Sequence, residues 1–387
     1  MKTMISLVSE QTVPNILAIL HFKPDSLLFI STERMEREGR VRAILAVLEQ
    51  RHPGLYRLNE NVHVIQVQED SILDCHRKLE HWISGREDNE FIVNLTGGTK
   101  LMSIAAFEYF KDYGSKMVYI PLGKNHYIVP FPKKSPKAPI PLPDRLSVAE
   151  YLMAYGLEVT NSHKLDQYGK TAAERMNLSR MIVWEYNEVV ELLRFLGEKL
   201  REKRNIKKGV DFWFPYQPSN EKERYLLKQL GFSQRGDCYG RYLNRADISY
   251  LTGGWLEEYC FNVVREFQGE GADDVTINIS IRSPQGRDNE FDVMFTSENT
   301  LYFIECKSLE QSHDRKFNIL YKIGALQREF GLRVKSFLVT TSSEVIDEAT
   351  GEIKSHIDER AAQFKTKVVR PTEVRDLPAI LAAELRR

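Results

Sequence analysis

Two short runs decide the fold of the C-terminal half of this chain: residues 290–296, EFDVMFT, and residues 301–308, LYFIECKS, separated by the polar step Ser297-Glu298-Asn299. Both are apolar runs of strand length, and a polar turn this short joins them as an antiparallel hairpin. Side chains alternate along a strand, so Glu305 and Lys307 share one face and Cys306 takes the other. The hairpin brings Asp292 near Glu305. Two carboxylates and a lysine converging on a sheet surface form a costly cluster unless a divalent cation joins the carboxylates. A cation there would acidify a bound water and neutralise charge on a phosphoryl oxygen, with Lys307 beside it to position that water or stabilise the transition state.

The flanking sequence extends the hairpin into an α/β core. Upstream, a helix starting at Gly254 carries Leu256, Cys260, Val263 and Phe267 along one stripe. At about 100° per residue, Glu257 falls on the flank of that stripe beside Val264, while Glu258 points to the far side. Downstream, the pattern predicts a helix over 315–329 carrying Lys322, a strand over 334–340, a helix around 357–364 and a strand over 367–369.

The N-terminal half alternates strands and helices. Strands are expected over 4–9, 26–31, 62–67, 91–95 and 117–120, with helices over 41–51, 72–84 and 101–113. That order implies a parallel sheet covered on both faces, a Rossmann-like architecture whose ligands bind at the carboxyl ends of the strands. Two strand ends carry suitable polar sequence: Ser9-Glu10-Gln11-Thr12 after the first, and Asn94-Leu95-Thr96-Gly97-Gly98-Thr99-Lys100 after the fourth. The second pairs two glycines, two hydroxyls and a lysine with a helix N-terminus, which favours an anionic group. The same loop also reads as a plain strand-to-helix turn capped by Thr99. Neither a Walker A spacing nor the dinucleotide glycine fingerprint is present.

Seven of the 15 prolines lie between 121 and 143, interleaved with Lys133, Lys134 and Lys137, so this seam is expected to be extended and semi-rigid. Beyond it, residues 146–250 read as a mostly helical connector. A long helix is expected over 182–202, with Val189, Leu192, Leu193 and Leu196 on its apolar face. The basic run Arg201, Lys203, Arg204, Lys207 and Lys208 reads as a solvated helix end rather than a phosphate track. Phe212, Trp213, Phe214 and Tyr216 read as core.

The loop sequence NLTGGTK and the polar loop after strand one resemble a CARF domain, the cyclic oligoadenylate sensor of type III CRISPR immunity, over residues 1–130. The resemblance places Ser9, Gln11, Thr12, Thr32, Asn94, Thr96, Gly97, Gly98, Thr99 and Lys100 around the ligand, with Glu33 a further neighbour, and implies a homodimer with the ligand on its two-fold axis. The pattern D-x12-E-x-K on a hairpin after a helix is similar to the PD-(D/E)XK nucleases, with Phe291 in place of the usual proline. That similarity assigns Asp292, Glu305, Lys307 and Glu257 to catalysis, and Asp292, Glu305 and the Cys306 backbone carbonyl to the metal, Mn²⁺ or Mg²⁺. Together the halves resemble the CRISPR ancillary nucleases. The expected organisation is a sensor at 1–130, a linker at 131–145, a connector at 146–250 and a nuclease domain at 251–387. The implied activity is cleavage of DNA, RNA or both, switched on by a cyclic oligoadenylate, with cyclic tetra-adenylate the expected ring.

Composition is consistent with this reading. Of 387 residues, 42% are hydrophobic and 28% charged, an ordinary globular balance that at this length implies more than one domain. The net charge of +0 gives no global basic field, so nucleic acid must be held locally. No apolar run has membrane-spanning length, and the four scattered cysteines form no metal cluster, so a cytoplasmic protein with reduced thiols is expected. Two other readings remain: a CARF-type transcription regulator without catalysis, and an enzyme that degrades its own cyclic ligand. The Asp292, Glu305 and Lys307 set argues against the first.

Overall fold

A computed structural model describes every residue of the chain except 131–137, 205, 207, 284–285, 309–319, 321–329, 333, 348 and 386–387. Lys133, Lys134, Lys137, Lys207, Lys322 and nearly all of the helix expected at 315–329 lie outside the described residues.

The N-terminal half builds a parallel sheet from β1 (Lys2–Leu7), β2 (Ser26–Ser31), β3 (Val62–Gln66), β4 (Glu90–Asn94) and β5 (Lys116–Val118), in the order β3-β2-β1-β4-β5. Strand β2 is buried along its whole length and β1 almost so, which is why both read as continuous apolar runs. Helices α1 (Val13–Phe22), α2 (Glu33–Arg37) and α3 (Arg40–Arg51) cover one face; α4 (Ile72–Ile83) and α5 (Lys100–Phe110) cover the other. The sequence reading passed over α1 and α2. Pro14 in its first turn and the left-handed Lys23 at its end bound α1. The chain order reverses between β1 and β4, so the loops leaving these two strands lie side by side.

The described part of the proline-dense seam is folded onto this domain. Strands β6 (His126–Tyr127) and β7 (Ile140–Pro141) pair, Leu142 is buried, and its N–H donates to the Asn125 carbonyl at 2.8 Å. Prolines are tolerated in so short an edge ladder because few N–H groups are needed there.

The connector holds α6 (Val148–Ala154), β8 (Glu158–Val159), α7 (Ser162–Glu174), α8 (Met176–Trp184) and α9 (Tyr186–Leu200). The single helix expected over 182–202 is two, because the chain turns at Glu185. That turn lets Ile182 and Val183 of α8 share a core with Val189, Leu192, Leu193 and Leu196 of α9. A small antiparallel sheet follows, unforeseen in the sequence: β9 (Val210–Pro215), then α10 (Glu221–Gln229), β10 (Ser233–Arg235) and β11 (Cys238–Leu243), ordered β10-β11-β9. Phe212 and Phe214 face its core as expected, but Trp213 faces outward and is 38% exposed, with the Arg235 guanidinium 4.5 Å from its ring.

The C-terminal half contains α11 (Arg245–Ser249), α12 (Trp255–Glu266), β12 (Asp274–Arg282), β13 (Asp288–Ser297), β14 (Thr300–Lys307), β15 (Val334–Thr340), α13 (Ser355–Gln363), β16 (Thr366–Val369) and α14 (Leu377–Leu385). Its mixed sheet runs β16-β15-β14-β13-β12-β8, so one edge strand comes from the connector, ahead of residue 251. The β13–β14 hairpin closes through Glu298 and Asn299, with φ of 51° and 55°; left-handed values at both central positions match the right-handed strand twist, and Asn tolerates them well. Val293 pairs with Ile304, which puts Asp292 and Glu305 opposite each other one step further along.

Candidate active site

Glu257, Asp292, Glu305, Cys306 and Lys307 line one recess of about 390 Å³. Three elements meet there: α12 supplies Glu257, β13 supplies Asp292, and the end of β14 supplies the rest. The Cys306 N–H donates to Asp292 Oδ2 at 2.6 Å, which ties the carboxylate to the neighbouring strand and fixes its direction. Burial holds the Glu257 carboxyl well above its ordinary value, and the charges of Asp292, Glu258 and Glu305 push the same way, against Arg204. Glu258 lies elsewhere, 3.2 Å from the Arg175 guanidinium. The helical arithmetic therefore separates the two glutamates correctly.

The approach to α12 is irregular. Residues Tyr250–Gly254 form a π-type turn in which Gly253 has φ of 138°, a value side-chain-bearing residues rarely adopt. A Cβ on Gly253 would run into the Ser308 hydroxyl, which donates to the Gly253 carbonyl at 3.1 Å. The turn brings Thr252 and Gly253 against the end of β14, closing the recess.

Among the described residues, no three His, Cys, Asp or Glu side chains converge in metal-binding geometry. The expected donor set is two carboxylates and one main-chain carbonyl, all hard oxygen donors, and an acidic cluster of this kind is relieved by a divalent cation. The residues fit that group.

At the N-terminal switch point, Gly97 lies against the Leu7 carbonyl with no room for a Cβ, and Gly98 takes φ of 71°. This close approach sets the loop after β4 beside Ser9. Lys100 is exposed at the start of α5, and Thr99 caps the helix, its hydroxyl accepting from the Met102 N–H at 3.2 Å and donating to the Glu69 carbonyl at 2.7 Å. Asn94 Oδ1 accepts from the Thr96 N–H and hydroxyl at 3.2 and 2.6 Å, and Asn94 Nδ2 donates to Asn15 Oδ1 at 2.9 Å. Asn94 and Thr12 have no exposed surface; the Thr12 hydroxyl donates to the Ala154 carbonyl at 2.6 Å. These two lie beneath the loops, where they brace them. Thr32 caps α2 through the Met35 N–H at 3.3 Å. Gln11 Oε1 accepts from the Tyr155 hydroxyl at 3.1 Å and the Leu332 N–H at 3.3 Å, joining this loop to the chain after α6 and to the chain ahead of β15.

Sequence reasoning missed Asn15, Thr252, Gly253, Ser308, Arg204 and Arg245. Asn15 and Gly253 are visible only through contacts between distant segments. Arg204 was in view but was assigned to a solvated helix end.

The fold and recess define a two-part protein, an α/β ligand-binding domain joined to a mixed-sheet domain with an acidic, lysine-bearing site. The family model described as "Card1 CARF domain" matches residues 3–151, and that described as "Card1-like, endonuclease domain" matches residues 244–383. The chain belongs to the family of nucleases that join a CARF domain to a Card1-like endonuclease domain. The crystal structure of protein VC1899 from Vibrio cholerae is similar over 100% of this chain and 98% of that one, with a TM-score of 0.77 and 19% identity. Can2 from Sulfobacillus thermosulfidooxidans, solved with cyclic tetra-adenylate, covers 100% of both chains with a TM-score of 0.74 and 19% identity. A type III CRISPR defence DNA nuclease activated by cyclic oligoadenylate matches 93% of this chain and 51% of its own, with a TM-score of 0.52 and 16% identity. At these identities the likeness speaks for the fold. No curated protein matches the sequence.

Proposed function

We propose that this chain is a metal-dependent endonuclease of type III CRISPR defence, with a PD-(D/E)XK-type site, switched on by cyclic tetra-adenylate bound at its N-terminal loops. The observation that carries the reading is the meeting of Asp292, Glu305, Lys307 and Glu257 in one recess of the domain matched as an endonuclease. Asp292, Glu305 and the Cys306 carbonyl would hold Mn²⁺ or Mg²⁺. A divalent metal there supplies an acidified water and neutralises charge at the phosphate being cut. Lys307 lies beside the carboxylates as a fixed positive charge for the developing oxyanion, and Glu257 is the third acidic group over the same space, able to orient water.

For the activator, support comes from the paired loops at the switch point and from the ligand in the similar Can2 structure. A ring of identical units has two-fold symmetry, so a homodimer can present the same loops to it twice. In keeping with a dimer, Leu73, Leu101 and Ile104, on the helices bordering the loop after β4, are 59%, 37% and 49% exposed. Among the described residues no helix is long and apolar enough to cross a membrane. The test is incubation of labelled DNA and labelled RNA with Mn²⁺, with and without cyclic tetra-adenylate. Cutting of either substrate only when both are present is expected; no cutting of either shows the reading to be wrong.

A further inference from the structure

The recess is not built by the residues matched as an endonuclease alone, because Arg204 lies ahead of them. Its wall includes Arg204 and Arg245. Arg204 follows the short 3-10 turn Arg201–Lys203, six positions ahead of β9, and Arg245 opens α11, two positions past the end of β11. The chain therefore enters the small three-stranded module at one arginine of the recess and leaves it at the other. Residue 204 lies in the stretch between the two family matches, which end at 151 and resume at 244.

Among the described residues neither arginine is spent on a salt bridge. Arg204 is exposed, and its side chain makes one hydrogen bond among the described residues, to the Thr252 carbonyl. A guanidinium has five N–H donors, so most of those on Arg204 are open to an anion entering the recess. Arg245 is exposed and has no ion pair among the described residues, whereas nearby Arg175 and Arg241 are both bound to Asp247 at 3.0 and 2.9 Å. Among the described residues, two of the three basic groups lining the recess thus come from outside the hairpin, and they line it together with Glu257, Asp292 and Glu305. Those three carboxylates repel an approaching phosphodiester, and the uncharged chain as a whole offers no compensating field.

We propose that Arg204 and Arg245 grip the substrate backbone at a phosphate next to the one that is cut, so that the module between them positions the nucleic-acid strand over the site. This rests on the nuclease reading above. The planar fork of arginine matches two phosphate oxygens at once, a geometry a lysine does not reproduce. The reacting phosphate is served by Lys307 and the carboxylate-bound metal, which leaves the two rim arginines for its neighbour.

The experiment uses the full-length protein with Mn²⁺, cyclic tetra-adenylate and labelled DNA or RNA. Arg245→Ala should raise KM by roughly tenfold while kcat stays within about twofold, because a contact shared by ground and transition states is lost. In a Glu305→Ala background, each arginine-to-alanine change should lower the slope of log affinity against log salt by about one, the signature of a lost phosphate contact. A purely structural role does not change that slope. Arg204→Lys should recover the slope but not the full affinity. Arg245 is exposed and has no ion pair among the described residues, so its variant should melt with the parent. Cutting by the parent protein with unchanged KM and unchanged salt slopes in both variants overturns this inference and leaves the nuclease reading standing. A parent protein that cuts neither substrate overturns both.

Discussion

The two sheets of this chain place their polar groups by opposite rules. In the parallel sheet the strands β1, β2 and β4 are largely apolar and buried, and the candidate ligand groups sit past the ends of β1 and β4. These groups are mostly neutral, shaped by Gly97 and Gly98 and braced by the buried Asn94, Asn15 and Thr96 bonds. In the mixed sheet the acidic groups lie within the strands themselves, and Glu305 is only 4% exposed. Burial, and after it the crowding of like charges, holds the Glu257 carboxyl well above its ordinary value there. A site that holds a ligand reversibly can be made of hydroxyls and N–H groups that stay satisfied when it is empty. A site that holds a cation must keep uncompensated charge in a poorly hydrated place, which costs stability until the cation arrives. The C-terminal site should therefore fail on single side-chain changes, while the N-terminal loops should respond in graded steps.

The sharpest contrast is Glu305→Ala. Cleavage should fall by roughly a thousandfold or more, since one of the two carboxylates of the metal set is gone and nothing nearby replaces it. Binding of cyclic tetra-adenylate, measured by calorimetry, should be unchanged. In EDTA the variant should melt no lower than the parent, because the change relieves an acidic cluster. A variant that cuts at the parental rate would mean that the acidic recess is not the active site.

Lys307→Ala comes next. Cleavage should slow by about a hundredfold while Mn²⁺ affinity stays within a few-fold, because the ammonium acts on the transition state and not on the metal. Equal losses of rate and of metal affinity, read by kinetics and calorimetry on one preparation, would move Lys307 into the metal-binding set and erase its separate role.

Much of this contrast was legible in the sequence, because it rests on local pattern. Strand period placed Glu305 and Lys307, the turn at Glu298 and Asn299 set the register, and helical spacing separated Glu257 from Glu258. Strands β1 and β2 were readable as apolar runs, since a sheet covered on both faces needs them. What escaped depends on contacts between distant segments. The Gly97 approach to Leu7 needs the β1–β4 pairing, and the burial of Thr12 needs α6 packed over its loop. The β9–β11 sheet escaped because β10 spans only Ser233–Arg235, all exposed, with no apolar period to detect. Arg204 escaped because a basic run looks the same in sequence whether it faces water or a recess.

A smaller effect is expected at the ligand loop. Lys100→Ala should raise the half-activating ligand concentration about tenfold, roughly 1.4 kcal/mol, and leave the maximal cleavage rate nearly unchanged. Thr99→Ala should add a similar or smaller shift through the lost helix cap, worth about 1 kcal/mol. A titration with the same midpoint but a lower plateau would place this loop in transmission and not in binding.

The smallest expected effect tests the join between the two regions. Gln11 belongs to the candidate ligand loop, yet its carbonyl oxygen accepts from the Tyr155 hydroxyl and the Leu332 N–H. Tyr155 follows α6, and Leu332 lies two residues ahead of β15, next in the sheet to the strand bearing Glu305 and Lys307. Any turn of Gln11 toward a ligand must therefore release bonds to both. Tyr155→Phe removes one of them and keeps the ring, and a hydrogen bond of this kind contributes about 0.5–1.5 kcal/mol. The ligand then works against less resistance, so its half-activating concentration should fall by about two- to tenfold. Less of its binding energy reaches the nuclease sheet, so the activation ratio should fall by a comparable factor, since the coupling is reciprocal. Tighter binding together with weaker activation is the outcome that a join through Gln11 requires. If Tyr155→Phe leaves both the midpoint and the activation ratio where they were, the signal passes between the domains by some route other than Gln11.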